Sequence, residues 1–320
     1  MIDAPGPWGS GPFVLTEGAS SCEVTPAIIS PRPFMCTWLP KPDRSPIVTL
    51  EANPYYFEPE RGPRVGRIRF RNDLTPAAAL DLCLNTEGEV DLVTEVSARD
   101  AGRVQSSPYA KLVAVESPRV IAGTFNRWLT EIPFSDRRLR EALNLAVDRQ
   151  QLVREGLAGY AVPSAGLTPA WFREFPAGIY PRPFDPERAR ALLQASGWPA
   201  GRSLRIAAPT KLAPLAQLLA RQFETALRIG VQVKEIPADR QLAEQRVLVE
   251  KKLMPNWDLL LAFIDAPFFA EMSPVYFHRE FFGVDGTLRA GPPIPEFDTL
   301  FRLLAAQTNA ESRLQIASQI

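Results

Sequence analysis

Few residues of this 320-residue chain are of a kind that does chemistry. There is one histidine, His278, in the string VYFHREFF, so a histidine-dependent triad or metal site would have to be built on it. No CxxC or HExxH pattern accompanies it, and its aromatic, charged surroundings favour a packed or surface imidazole. Three cysteines are too few for a disulfide framework or a zinc site. Cys22 and Cys36 flank a Pro-rich stretch and read as free thiols, with pairing in an oxidising compartment as the alternative. Cys83 falls on an apolar helix face and reads as core. Carboxylates crowd at Glu87, Glu89 and Asp91, and again at Asp258 and Asp265. Such neighbours are common in a chain with 36 acids, so capping or solvated roles outweigh general acid–base work. Gly9-Ser10-Gly11 starts like a phosphate loop but lacks the Gly-Lys-Ser/Thr that would follow, and it precedes a strand; it reads as a turn. No catalytic set emerges, and the expectation is a protein that is not an enzyme, with no cofactor and no metal. Aromatic-rich loops with scattered charges suit a cleft binder, in which rings supply apolar contact and a few charges orient the ligand.

The bulk numbers agree. Thirty-six basic residues balance 36 acidic ones, which gives no support to nucleic-acid or anionic-membrane binding. The hydrophobic share of 46% and charged share of 22% are those of a soluble globular protein. No apolar run approaches the roughly 20 residues of a membrane span. The opening MIDAPGPWGSGPF has neither the basic nor the apolar region of a secretory signal. Taken alone, that implies a cytoplasmic protein, or a chain that begins inside a longer gene product. The length suits two domains or lobes with cores of their own.

The elements that would position any site read as α/β. Residues 18–46, rich in proline, read as a long irregular excursion between strands. Ile47–Ala52 alternates as a strand, and NPYYFEPERGP is a loop. A strand at Arg67–Arg71, a helix at Pro76–Leu84 with Pro in its first turn, and a strand at Asp91–Val96 follow. Ala98–Gln105 reads as a short helix; Lys111–Glu116 and Val120–Phe125 read as strands. A long helix is expected over Arg137–Leu157, with Asp136 as N-cap and Leu139, Leu143, Ala146, Val147, Val153 and Leu157 on one face. The turn at Gly159–Pro163 ends it and is the expected lobe crossing, giving lobe I as 1–160 and lobe II as 161–320. Asp185-Pro186 opens another helix, stopped by Gly197. Leu204–Ala207, Leu212–Arg228 and Val231–Ile236 form a βαβ unit. Asp239–Lys252 reads as a helix. Trp257–Ile264 is a continuous apolar run of the kind buried in a parallel sheet. Helices at Glu296–Ala306 and from Ala310 onward complete the chain.

In that frame the chain resembles the family 5 extracellular solute-binding proteins, the peptide, oligopeptide and nickel binders of ABC importers. Gly9-Ser10-Gly11-Pro12-Phe13-Val14-Leu15 resembles the family's G-[TS]-G-P-[YF]-x-L turn and strand. Asn53-Pro54-Tyr55-Tyr56-Phe57 resembles N-P-x-Y-W, with Phe in place of Trp, and Gly88-Glu89-Val90-Asp91 resembles G-E-[VI]-D. Phe125-Asn126, then Pro133-Phe134-Ser135-Asp136-Arg137-Arg138-Leu139-Arg140-Glu141-Ala142-Leu143 and Asp148-Arg149, resembles F-N followed by P-F-x-D-x-R-[VL]-R-x-A-L. Phe184-Asp185-Pro186 through Gly197-Trp198, and Pro295-Glu296-Phe297-Asp298, match two later landmarks. The order is the family's own across nearly the whole chain.

The resemblance implies a two-lobed periplasmic-binding-protein-like fold (type II) with an incomplete first lobe, because family members commonly carry more chain at both ends. It implies a non-catalytic solute-binding component of an ABC importer, with lobes closing over a solute by hinge motion and docking on membrane permease subunits. A short peptide is the expected solute. The location implied is periplasmic or cell-surface. A cytoplasmic solute-sensing module on the same scaffold, or a remnant of a longer binder, are the other readings. In the family's peptide binders an acid just after the W-D-x-x-L strand holds the peptide amino terminus. Asp265 is the nearest acid here, slightly earlier than that position. Phe263, Phe268 and Phe269 are candidates for an aromatic wall, Arg289 for a carboxylate partner, and Asn126 for a polar contact.

Overall fold

The computed structural model describes residues 9–18, 22–26, 36–40, 45–94, 96–117, 119–126, 131–237, 256–264, 278–279, 282–284 and 294–320, with the backbone alone described for 22–26 and 36–40. The chain divides into two compact units, Met1–Val113 and Ala114–Ile320.

In the first unit, β1 (Phe13–Glu17) begins the fold, followed by β2 (Cys22–Pro26), β3 (Cys36–Pro40), β4 (Ile47–Ala52) and β5 (Arg67–Arg71). β1, β4 and β5 form an antiparallel sheet in that order. Its register explains the alternation in the sequence. Leu15, Leu50 and Ile68 align across the strands, as do Val48 and Phe70, so one face is apolar. Thr49 faces Arg69, and Glu51 faces Arg67, on the other. The stretch expected to be irregular contains a hairpin, since β2 pairs antiparallel with β3. Its register sets Cys22 opposite Pro40 and Cys36 opposite Pro26, at opposite ends of the ladder.

α1 (Pro76–Asn85) starts where Thr75 Oγ1 accepts from Ala78 N at 3.2 Å. With α2 (Ala101–Ser106) it builds a small core of Leu80, Leu84 and Val104, lined by Val96 and Leu112. Two expected strands are not formed. Asp91–Val96 has no regular strand among its described residues, and Lys111–Glu116 joins no ladder among the described residues, its Val113 and Val115 exposed. Alternation prepares a segment for a sheet, but the backbone groups still need a neighbouring strand.

The second unit holds β6 (Val120–Phe125), α3 (Arg137–Leu145), α4 (Arg149–Gln151), α5 (Pro186–Ala195), β7 (Leu204–Pro209), α6 (Ala213–Leu227), β8 (Val231–Ile236), β9 (Leu259–Ile264), α7 (Pro295–Ala306) and α8 (Ala310–Gln319). Its sheet runs β6-β9-β7-β8. β7 is parallel to both β8 and β9, whereas β6 is antiparallel to β9. The apolar run at 259–264 is thus a central strand, as its composition implies. Leu204, Ile206, Ala208, Leu259 and Leu261 turn one sheet face onto α3, α5 and α6, where Leu139, Leu143, Leu193, Leu219 and Phe223 complete the main core. Each such aliphatic side chain, taken out of water, contributes about 1.5–3 kcal/mol. α7 and α8 pack through Phe301, Leu304 and Ala317.

The helix expected over Arg137–Leu157 is interrupted. α3 stops at Leu145, Asp148 Oδ1 caps a new start by accepting from Gln151 N at 2.9 Å, and α4 passes into a π-helical turn at Leu152–Gly156. The apolar spacing runs through the break because both pieces pack on the main core, α3 against α5 and the π-helical turn against α6. Buried Gln222 of α6 fixes the joint: its Nε2 donates to Asp148 O at 3.0 Å and its Oε1 accepts from Asp148 N at 3.1 Å. α3 packs on α5 within the second unit, whose boundary with the first lies at Val113/Ala114. The helix expected at Asp239–Lys252 lies outside the described residues.

Candidate functional site

The Phe125–Arg149 block, whose pattern carries the resemblance, proves to be a set of local ties. Phe125 stacks on Phe134 with centroids 4.9 Å apart. Asp136 caps α3, accepting from Arg138 N at 2.7 Å, and the Arg138 guanidinium returns to the same carboxylate at 2.7 Å. That contact with Arg138 holds the Asp136 carboxyl below its ordinary range. Arg140 Nη1 donates to the carbonyls of Phe134 and Ser135 at 2.7 and 2.8 Å. Arg149 donates to Asn144 Oδ1 at 2.7 Å and to the Arg182 carbonyl at 3.2 Å, so a cation closes the C-terminal end of α3. Burial pushes the Arg149 guanidinium below its usual value.

Asn126 follows β6 and is buried. Its backbone N–H donates to Asp258 O at 2.9 Å and its Nδ2 to Trp257 O at 2.8 Å. Asp258 is fully buried beside it. Its Oδ1 accepts from Arg202 Nη2 at 3.0 Å and Arg205 Nη2 at 2.9 Å, and its Oδ2 from Arg205 N at 2.7 Å. The hydrogen bond that Arg205 donates to Asp258 raises its guanidinium above its usual value. Asn126 and Asp258 therefore lock the start of β9 to β6 and β7. This places Asn126 in the framework, with its amide donating to backbone.

Phe263 sits at the other end of β9, opposite Ile121, and packs partly on the main core. The Arg119 guanidinium carbon lies 5.1 Å from its ring centroid. Phe263 is a candidate from the sequence, and only the β6–β9 pairing brings Arg119 to it. Asp265, Phe268, Phe269 and Arg289 lie outside the described residues.

His278 is a packed histidine, as its context implied. Its Nε2 and the buried Thr168 Oγ1 are 3.0 Å apart, and Phe282 meets it edge-on at 6.1 Å. Burial lowers its pKa to about 4. In the first unit, Thr16, Glu17, Thr49, Glu51, Arg67 and Arg69 line an open depression of about 370 Å3 on the polar sheet face. There Thr49 Oγ1 donates to Glu17 at 2.9 Å and Arg67 pairs with Glu51 at 2.9 Å. Among the described residues no group of three or more His, Cys, Asp or Glu is arranged to hold a metal, and no helix is long and apolar enough to cross a membrane.

Residues 4–272 match the family described as bacterial extracellular solute-binding proteins, family 5 Middle. A curated relative, the glutathione-binding protein GsiB of Salmonella typhimurium, is 30% identical over 147 residues, which are 46% of this chain and 28% of that protein. A solved structure of a putative peptide binding protein, AppA from Clostridium difficile, aligns with 98% of this chain and 58% of its own at 19% identity and a TM-score of 0.74. The ABC transporter substrate binding protein CtaP from Listeria monocytogenes aligns with 98% of this chain and 57% of its own, at 18% identity and a TM-score of 0.70. The match thus spans less than a third of the curated relative and somewhat over half of either solved neighbour. With the α/β skeleton, the order of its motifs and the family match in agreement, this chain belongs to the family 5 bacterial extracellular solute-binding proteins.

Proposed function

We propose that this chain serves as the solute-binding component of an ABC importer and holds a short peptide without converting it. The observation that carries this reading is the family match over residues 4–272. The glutathione-binding relative supports a small peptide as solute, since glutathione is itself a tripeptide. Two side chains that could do chemistry are engaged within the scaffold, which fits a binder better than an enzyme: Asp258 is tied to two arginines and His278 to Thr168. The partners proposed are the peptide and the permease subunits of the importer, in a periplasmic or cell-surface location.

A thermal-shift panel tests it, with mixed di- to pentapeptides, glutathione, nickel–histidine and simple sugars as separate arms. A solute at 100 times its Kd stabilises by about 2.7 kcal/mol, a Tm rise of about 5 °C. A rise with peptides or glutathione is the expected result. A rise confined to nickel–histidine or sugars overturns the peptide assignment.

A further inference from the structure

We propose that the depression on the polar face of the β1-β4-β5 sheet binds a small amino-acid-like zwitterion such as a free dipeptide, with Arg69 taking its carboxylate and Glu17 its ammonium group. The site lies wholly within the first unit, and it goes beyond the solute reading above, which assigns no residue there.

The strand register assembles the two charges. Phe13, Val14 and Leu15 of β1 pair with Ala52, Glu51 and Leu50 of β4. Continued unbroken, that register would set Glu17 opposite buried Val48 on the apolar face. It shifts by one at Thr16, so Glu17 stands opposite Thr49 on the polar face. Bulges re-aim side chains in this way. Thr49 in turn faces Arg69 of β5. One row across the sheet therefore reads Glu17, Thr49, Arg69, a carboxylate and a guanidinium two strands apart.

The charges on either side of this row are paired, but these two are not. Arg67 meets Glu51 at 2.9 Å, and Arg71 holds Asp73 through two contacts of 2.8 and 2.7 Å. Arg69, between them in β5, is exposed and makes no hydrogen bond or ion pair among the described residues; it acts on Asp73 only through space. Glu17 accepts from Thr49 Oγ1 at 2.9 Å, and among the described residues no cation is paired with it. Buried Thr49 thus fixes the carboxylate without neutralising it.

This spacing selects the ligand class. Backbones two strands apart are about 9–10 Å from each other. An extended dipeptide is about 7 Å long, so its two ends fit between side chains that line one depression. The depression, of about 370 Å3, has room for a molecule of that size. Arg69 offers planar donors that match a carboxylate in bidentate fashion, and Glu17 accepts from an ammonium group. A lone anion is repelled by Glu17 and a lone cation by Arg69, so the row favours opposite charges in one molecule. Both groups stand in water, which makes the binding weak.

Backbone amide shifts of the isotope-labelled 320-residue protein, titrated with glycylglycine, test this. Saturating shifts are expected at Glu17, Thr49 and Arg69, with a Kd of about 1–10 mM. N-acetyl-glycylglycine and glycylglycinamide each lack one charge, and each is expected to bind there at least about 5-fold more weakly. Arg69→Gln and Glu17→Gln are expected to weaken glycylglycine by a similar factor. Arg61→Gln, whose partner Glu58 lies outside the depression, is expected to behave as wild type. The absence of saturable shifts at the three amides overturns the proposal, as does undiminished binding by either single variant. Shifts confined to the second unit also overturn it and leave the peptide reading standing, which the thermal-shift panel judges separately. If a variant fails to fold, the two charge-blocked probes decide on wild type: binding at the three amides equal to that of glycylglycine overturns the assignment.

Discussion

Replacing Asp258 by alanine is the sharpest test of how the second unit is held together. The carboxylate is fully buried, and the side chains of its partners Arg202 and Arg205 are only 20% and 27% exposed. One oxygen accepts from both guanidiniums and the other from the backbone of Arg205, while the Asp258 backbone N–H donates to the Arg205 carbonyl at 2.8 Å and its own carbonyl accepts from Asn126. Three strands, β6, β7 and β9, therefore meet at one residue. Intact, such a pair adds little net stability, because desolvating the charges offsets much of their attraction. Removing one partner is different, since it strands the other charges in a place water reaches poorly. In Asp258→Ala the Arg205 guanidinium loses its carboxylate, Arg202 keeps only the exposed Glu131 at 3.4 Å, and a backbone donor loses its acceptor. The partial exposure of the arginines puts the expected loss at the low end of the range for broken buried pairs, about 3 kcal/mol, or about 7 °C in Tm for a unit of this size.

Equilibrium urea unfolding followed by far-UV circular dichroism measures the loss, and amide hydrogen exchange at Leu259–Ile264 locates it. A double-mutant cycle with Arg205→Ala isolates the pair: the double variant is expected to be more stable than the sum of the single losses allows. A loss under about 1 kcal/mol, or strict additivity with Arg205→Ala, would refute the reasoning and mean that Asp258 is held by the sheet and does not hold it.

Two other perturbations test separate joints. Gly156→Ala places a methyl group onto Leu215 Cδ1 of α6, so the π-helical turn or the leucine must shift; a cost of about 1–3 kcal/mol in urea unfolding is expected, and an unchanged midpoint would show that the turn is not pressed against α6. For His278, the folded pKa of about 4 lies below the unfolded value near 6.5, so between those limits the unfolded chain binds more protons and stability falls as pH drops. The wild-type Tm should therefore decline from pH 7 toward pH 4.5 more steeply than that of His278→Gln. As His278 is the one histidine in the chain, its imidazole proton resonances should show no titration near pH 6.5, and a midpoint there would refute its burial.

Much of the scaffold is legible in the sequence because its determinants are local. Asp136 and Asp185 announce helix starts, and each side chain accepts the backbone N–H expected of it. Gly197 adopts a positive φ of 72° just past α5, the backbone that terminates a helix most cheaply for glycine. The βαβ unit from Leu204 to Ile236 follows directly from its apolar runs. Where reading by pattern failed, a distant partner decided the outcome. Lys111–Glu116 alternates as well as Ile47–Ala52 does, but only the latter lies between two strands that complete its ladder. The apolar face of Arg137–Leu157 is continuous, yet Gln222, far along the chain, holds a break in the middle of it.

The same distinction governs the candidate site. The residues that make the chain recognisable, Asp136, Arg138, Arg140 and Arg149, satisfy backbone groups or one another within a few positions, so their spacing alone specifies their contacts. A pattern of that kind transfers a fold, because each tie forms wherever the short motif recurs. It carries no information about a solute, since donors already engaged with neighbouring carbonyls are not available to a ligand. Asn126 illustrates this: it is part of the motif, and its amide is engaged with the Trp257 carbonyl. Arg119 and Phe263 meet by a different route. They belong to segments far apart in sequence and become neighbours only when β6 and β9 pair, so no spacing rule could have joined them. A fold of this kind is therefore recognised from its short motifs, whereas contacts between distant segments are fixed only by the pairing of the strands that carry them.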